Sequence, residues 1–480
     1  MKKLLYIFVI LFGISSCSDM NEGLNTDTKK PTDVPAETLF PTATKALFDE
    51  MVHPSVNRSA FRFFGQYWTA TTYTDEPNYN LRTRGIPESH WLELYRDVLK
   101  DLKETSEIIA NSEGSGEAPE VLANKSAMAE ILTVYAYHVL VDSFGDVPYT
   151  EALQVLENTT PVYDDDAAVY EDLTVRLDNA ISTLNPEYAG FTSADLIYGG
   201  DIESWIKLGN SLKLRMALRY ADVDNAKAKS MAEEAVSGGV FTSNDDNATI
   251  QYDPGAPNTN PIWEVQVQSG RTDFVAANTI VDKMNELEDP RRPVYFKQNL
   301  GEGVYDGGSF AARGNSYDNS SQIGAIFDEP TLEGIIIEYS EVEFLLAEAI
   351  ERGYAVGGTA EEHYNNAVTA SVEYWTESSS EASAYLSNPD VAYSTAQGDW
   401  KEKIATQKWI SLFNRPFEGW TTYRRLGYPE MQVTALSKLP TPRRYTYPVA
   451  EASRNTENYN AAVTAMGGDE LSTKIFWDVE

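Results

Sequence analysis

Cysteine occurs once in these 480 residues and histidine four times. A single thiol excludes an intrachain disulfide framework and a cysteine-rich zinc site. His53, His90, His138 and His363 are scattered, so the chain has neither an HExxH nor a His-x-His metal pair. Basic residues are also scarce: 38 Lys+Arg face 73 Asp+Glu, a formal charge of −35. That balance excludes an electrostatic grip on nucleic-acid phosphates or on anionic lipid. The chain has no GxxxxGK[ST] phosphate loop and no uninterrupted apolar run of the ~20 residues that a bilayer span requires. An apolar content of 42% is nevertheless enough to bury a sizeable interior, which excludes wholesale disorder. At this length that interior divides into more than one core or forms an extended packed array.

The first segment reads as an address. Lys2 and Lys3 precede the apolar run Leu4–Ile14, which is too short to span a bilayer and suits a signal-peptide core. It ends in Ile14-Ser15-Ser16-Cys17, where the chain's only thiol follows two small residues. This looks like a bacterial lipobox: cleavage before Cys17, diacylation of its thiol and acylation of the new amine. Several acyl chains give stable anchoring without a transmembrane helix. A plain secretory signal with an incidental cysteine is the alternative. Residues 1–16 are expected to be a lipoprotein signal peptide. Residues 17–35, polar, acidic and punctuated by Pro31 and Pro35, are expected to be the anchor and its flexible tether.

Helical periodicity dominates residues 36–240. Trp91, Leu94, Tyr95, Val98, Leu102 and Ile109 fall near i, i+3, i+4, i+7 spacing, as do Met128, Ile131, Leu132, Tyr135, Val139 and Leu140. A third stripe runs from Tyr170 to Leu184, entered through Asp164-Asp165-Asp166, which reads as a helix cap rather than a metal site. Further helices are predicted over about 202–220 and 225–236. In the first of these, Trp205-x2-Leu208-Gly209-x2-Leu212 fits half of a tetratricopeptide unit, with Trp205 expected in the core. The second carries the small-residue ridge Ala228, Ala232, Ala235, and Ala360, Tyr364, Ala367 repeat it later. From 241 to 334 Gly, Pro, Asn and Asp become dense, interrupted by a helix predicted over about 274–286. Loops this long are usually functional. Helices resume over 335–413, and 414–480 reads as a loop-rich C-terminal lobe. The expected fold is mainly α: a tetratricopeptide-like helical scaffold with a loop-rich insertion and an irregular C-terminal lobe, all within one unit, 36–480.

No catalytic constellation, cofactor motif or metal site is legible. Gly307-Gly308-Ser309-Phe310-Ala311 lacks the preceding apolar strand of a nucleophile elbow and reads as a turn. Asp222-x-Asp224 with Glu233 fails as a calcium loop, because Lys227 stands where glycine must turn the chain. With 73 acids, no carboxylate pair can be nominated for glycoside hydrolysis. What stands out is the aromatic load, 28 tyrosines and 9 tryptophans, part of it outside helical stripes. Trp68, Tyr73, Tyr79, Trp263 and Tyr317 lie among loop residues, beside Asn80 and Arg271. Flat rings stack on sugar faces or peptide groups, and Asn and Arg add directional hydrogen bonds. The expectation is a shallow polar-ligand surface with at least two of these rings exposed on one face. The competing role for each ring is to pack a loop onto the scaffold.

The C-terminal lobe carries a resemblance. Leu439-Pro440-Thr441-Pro442-Arg443-Arg444-Tyr445-Thr446-Tyr447-Pro448, followed by Glu451, Asn455, Asn458 and Tyr459, resembles the closing signature of SusD-like (RagB/SusD) nutrient-binding lipoproteins. Asp142–Tyr149, Asp289-Pro290-Arg291, Tyr339–Ala349, Ile404–Trp409 and Glu418-Gly419-Trp420 agree in order. The resemblance implies a tetratricopeptide-like scaffold and an outer-membrane lipoprotein anchored through Cys17 and facing the cell exterior. It also implies a SusC-like TonB-dependent transporter as partner, over which the lipoprotein sits as a lid. The implied activity is non-catalytic capture of a glycan, or in some relatives a peptide, for import, with no cofactor. The shared motifs look structural, with Arg443 and Arg444 anchoring the C-terminal lobe, so ligand residues do not carry over. Two other readings remain: a surface glycoside hydrolase, and a helical-repeat scaffold that binds only proteins.

Overall fold

The computed structural model of the chain describes residues 34–112, 116–154 and 157–479. Cys17, the signal peptide and nearly all of the tether lie outside the described residues.

The protein is mainly helical. The first half is built from α1 (Ala36–Val52), α2 (Lys100–Ala110), α3 (Pro119–Phe144), α4 (Asp166–Thr183), α5 (Ile202–Tyr220) and α6 (Asn225–Gly238). Its last three helices, α4, α5 and α6, start at aspartates whose side chains satisfy orphan N–H groups of the first turn. Asp165 accepts from the Ala168 N–H at 2.9 Å, as expected of the aspartate run, and Asp224 accepts from Lys227 N–H at 3.0 Å. The chain then passes through α7 (Asn278–Glu286) to α8 (Tyr339–Glu351), α9 (Ala360–Thr376), α10 (Trp400–Ser411) and α11 (Pro416–Leu426). Consecutive helices pack as pairs, α3 with α4, α5 with α6 and α8 with α9. The small-residue ridges explain the close approach: Ala228, Ala232, Ala235 and Ala367 are completely buried. Trp205 is buried too, and its indole N–H donates to Asp195 Oδ2 at 2.8 Å.

Two sequence expectations are corrected. The helix predicted from Phe274 starts only at Asn278, because Phe274–Ala276 is drawn into a strand. The segment after Asn414 opens on a helix, α11, with Pro416 preorganised in its first turn. The strands are short and form two antiparallel pairs: β1 (Trp68–Ala70) with β3 (Phe274–Ala276), and β2 (Ala248–Ile250) with β4 (Gly334–Ile337).

The interior holds two apolar clusters. One joins α1–α6 to Tyr445, Tyr447 and Trp477 of the C-terminal lobe, and the other gathers around α7–α10, Phe296 and Phe413. Between the helices lies a buried ionic junction. Arg219 bonds Asp142 at 2.9 Å and Glu418 at 2.9 Å, while Arg215 and Arg415 share Glu341 at 2.7 and 2.5 Å. Arg425 pairs with Glu348 at 2.5 Å. Burial alone would raise these carboxyl groups, but the guanidinium partners outweigh it and hold Glu341, Glu348 and Glu418 below the usual carboxylate range. Arg443 and Arg444 pair with carboxylates of the C-terminal lobe itself, Asp478 at 3.0 Å and Asp469 at 3.2 Å.

Candidate functional site

The β1–β3 ladder pairs Trp68 with Ala276, Thr69 with Val275 and Ala70 with Phe274. Just beyond it, Thr71 N–H donates to Asp273 O at 2.9 Å and its hydroxyl to Thr272 O at 2.7 Å. Loops 71–80 and 264–273 therefore leave the same edge of this small sheet, although some two hundred residues separate them in the chain.

A third loop, 308–319, closes on the other side of the ladder. Gly308 N–H donates to Ala276 O at 2.9 Å, and Asn278 N–H returns to Gly308 O at 2.8 Å. Asn315 Nδ2 donates to Ala70 O at 3.0 Å, and Ala311 N–H to Thr69 Oγ1 at 3.1 Å. A glycine is required by this approach: a Cβ on Gly307 would lie 2.5 Å from Asn278 Cα, inside van der Waals contact with backbone. The Gly-rich segment is the turn expected of it.

The expected ligand residues divide sharply. Tyr73 is 49% exposed, with the Arg84 guanidinium 5.0 Å from its ring centroid. Arg84 in turn pairs with Glu76. Arg271 carries a side chain 49% exposed, held 3.2 Å from Asp273. Asn80 is exposed and Tyr317 half-buried on the third loop. Trp263, also half-buried, heads the 264–268 turn that leads to Arg271.

Trp68 and Tyr79 do not fit the expectation. At 1% and 3% exposure they offer no stacking face. Trp68 lies under the Arg62 guanidinium at 4.5 Å and against Phe274, and Tyr79 packs edge-on to Phe64 at 5.5 Å. The reason is the aromatic run in which they stand. Phe61, Phe64 and Tyr67 anchor the loops to Trp409, Trp420 and Tyr445, with Tyr67 stacked on Trp409 at 5.2 Å. These rings pack the loops onto the scaffold.

Sequence reading missed the residues that hold the loops in place. Gln66, fully buried at φ 52°, accepts from Thr279 Oγ1 at 2.9 Å and Gln432 N–H at 3.0 Å, and donates to Gln432 O at 2.7 Å. Asn78 and Asn315 do similar work. Each is a single polar residue in a turn, and only its distant partners distinguish it.

The chain matches the SusD-like family, described as starch-binding and associating with the outer membrane, over residues 28–448. It belongs to that family: a SusD-like carbohydrate-binding protein associated with the outer membrane, and not an enzyme. Among solved structures it resembles a chitin-binding SusD homolog from Flavobacterium johnsoniae (TM-score 0.78, 26% identity, 92% of this chain and 99% of that one). It also resembles a SusD-like protein from Bacteroides thetaiotaomicron (TM-score 0.75, 27% identity, 93% of this chain and 99% of that one). A SusD homolog from Bacteroides uniformis gives a TM-score of 0.77 at 26% identity, covering 93% of this chain and 100% of that one. No curated protein sequence matches the chain.

The motifs that carried the resemblance now have a physical place. Asp142, Glu341, Glu348 and Glu418 are the carboxylates of the buried junction, and Gly419 lies where a Cβ would be 2.0 Å from the Tyr67 hydroxyl. Trp420 donates its indole N–H to Pro442 O at 2.7 Å. Together these residues set the scaffold.

Proposed function

We propose that this protein is a lipoprotein, anchored through Cys17 and facing the cell exterior, that captures an oligosaccharide on the face formed by loops 71–80, 264–273 and 308–319. It then delivers the ligand to a SusC-like TonB-dependent transporter. The observation that carries the reading is the β1–β3 ladder, which sets exposed Tyr73 and Arg271 on neighbouring loops from distant parts of the chain. An exposed ring beside a guanidinium and amides suits the flat, polar face of a sugar. The chitin-binding relative at 26% identity supports a glycan over a peptide.

Among the described residues no helix is long and apolar enough to cross a membrane, which leaves attachment to Cys17 in this reading. Calorimetric titration of residues 18–480 with chitohexaose and with maltohexaose tests the glycan. Binding that Tyr73→Ala and Arg271→Ala each weaken is expected; parental binding by both variants refutes the site. Labelling cells with a fatty-acid analogue tests the anchor, since acylation that persists in Cys17→Ala refutes it. Co-purification of the tagged lipoprotein with a TonB-dependent transporter from detergent-solubilised outer membranes tests the partner.

A further inference from the structure

Loops that bind ligand must be ordered before or during binding, and fixing each residue costs conformational entropy. A loop ordered in advance brings that cost down at the moment of association. The β1–β3 ladder is three residues long on each strand, so by itself it orders only the roots of the loops.

One side chain spans their outer parts. Asn78 is 6% exposed and sits inside the turn that follows Tyr73. Its Nδ2 donates to Thr74 O at 2.7 Å, within its own loop, and to Ala311 O at 2.7 Å, on the third loop. Its Oδ1 accepts from Leu436 N–H at 3.0 Å and Ser437 N–H at 3.2 Å, in the C-terminal lobe. Its backbone carbonyl accepts from the Ser437 hydroxyl at 2.9 Å. An asparagine amide has two donors and one carbonyl acceptor with two lone pairs, and here all are used. Only one orientation works, because carbonyls lie on one side of the amide and N–H groups on the other. Residues 233 and 358 positions away in the chain are thereby held against one planar group.

We propose that Asn78 is the positioning residue of the ligand face: it touches no ligand, yet fixes the Tyr73 loop, the Tyr317 loop and loop 434–439 of the C-terminal lobe relative to one another. This rests on the reading that the loop face takes the ligand. It also adds loop 434–439, with exposed Leu436, as a fourth wall beside the three loops of that face.

Asn78→Asp isolates the idea. It keeps the shape and the acceptor toward Leu436 and Ser437, but it replaces the donor with an oxygen facing two carbonyls. Amide hydrogen exchange on the unliganded variant should show faster exchange in 74–80 and 309–319, with α5 and α8 protected as in the parent. Unchanged protection in those loops overturns the proposal. So does a uniform loss across the helices, which would make Asn78 a residue of the fold at large. Calorimetry with chitohexaose and maltohexaose supplies the second arm. Asn78→Asp should bind ~10-fold more weakly with a larger entropic penalty and a retained enthalpy, whereas Tyr73→Ala should lose enthalpy. If Tyr73→Ala weakens binding and Asn78→Asp does not, the positioning role is overturned. If the parent binds neither oligosaccharide, the glycan reading fails for these two sugars, and hydrogen exchange alone decides the role of Asn78.

Discussion

The buried ionic junction and the three-loop face are both dense in polar contacts, yet they are built in opposite ways. In the junction, charged side chains answer charged side chains: Arg219 with Asp142 and Glu418, Arg215 and Arg415 with Glu341. In the loop face, neutral amides and hydroxyls answer backbone groups: Asn78 with Thr74, Ala311 and Leu436, Asn315 with Ala70, Thr69 with Ala311. The first arrangement constrains which side chains stand at a given place. The second constrains where the backbone runs and leaves side chains such as Tyr73 and Arg271 exposed to solvent.

Breaking the junction should have the largest effect. Glu418→Ala leaves Arg219 and Arg215 buried without their shared carboxylate, and stability measured by urea titration should fall by about 3–5 kcal/mol. Oligosaccharide affinity of the folded fraction should be unchanged. A mutant as stable as the parent would dissolve the distinction between the two regions.

A second change sharpens the comparison by pH. Asp146 is buried, and burial together with neighbouring Asp166 pushes its carboxyl up to about 7. Its ionised form is therefore the disfavoured one in the folded state. The penalty is absent below about pH 4 and complete above about pH 7, so Asp146→Asn should leave stability unchanged at pH 4. At pH 8 it should raise stability by up to ~4 kcal/mol. Urea midpoints at the two pH values check both the sign and the window.

Trp68 and Tyr73 give the closest test, since they stand five positions apart on opposite sides of the boundary. Trp68→Ala should cost about 3 kcal/mol of stability, the low end for a buried tryptophan, because its indole N–H has no partner to lose. Tyr73→Ala should leave the thermal midpoint where it is and cost roughly 2 kcal/mol of binding, ~30-fold in affinity. If the two effects are interchanged, the boundary between scaffold and ligand face has been drawn in the wrong place.

The same contrast explains what could be read from the residues alone. Helices such as α5 and α8 advertise themselves through apolar periodicity, and the signature residues Asp142, Glu341 and Glu418 form ordered motifs because the junction demands particular charges. Trp68 and Tyr73 could not be told apart, since both sit among polar residues in an aromatic-rich stretch. What separates them is the partner chemistry of Phe274 and Arg62, supplied by folding. β3 escaped notice because three residues are too few to show alternation, and Phe274-Val275-Ala276 continue into an apolar helix face. Asn78 escaped because a staple that reaches Ala311 and Leu436 leaves no local trace.

Because the loop staples read the main chain, they are indifferent to most neighbouring side chains. Tyr73, Arg271 and Tyr317 can be exchanged for other residues while Asn78, Thr69, Asn315 and Gln66 keep the loop paths in place. The face is thus a socket whose fittings are separable from its frame. On the proposed reading, sugar preference is varied at those three positions on a frame left intact, and a library varied there should remain folded in nearly every member.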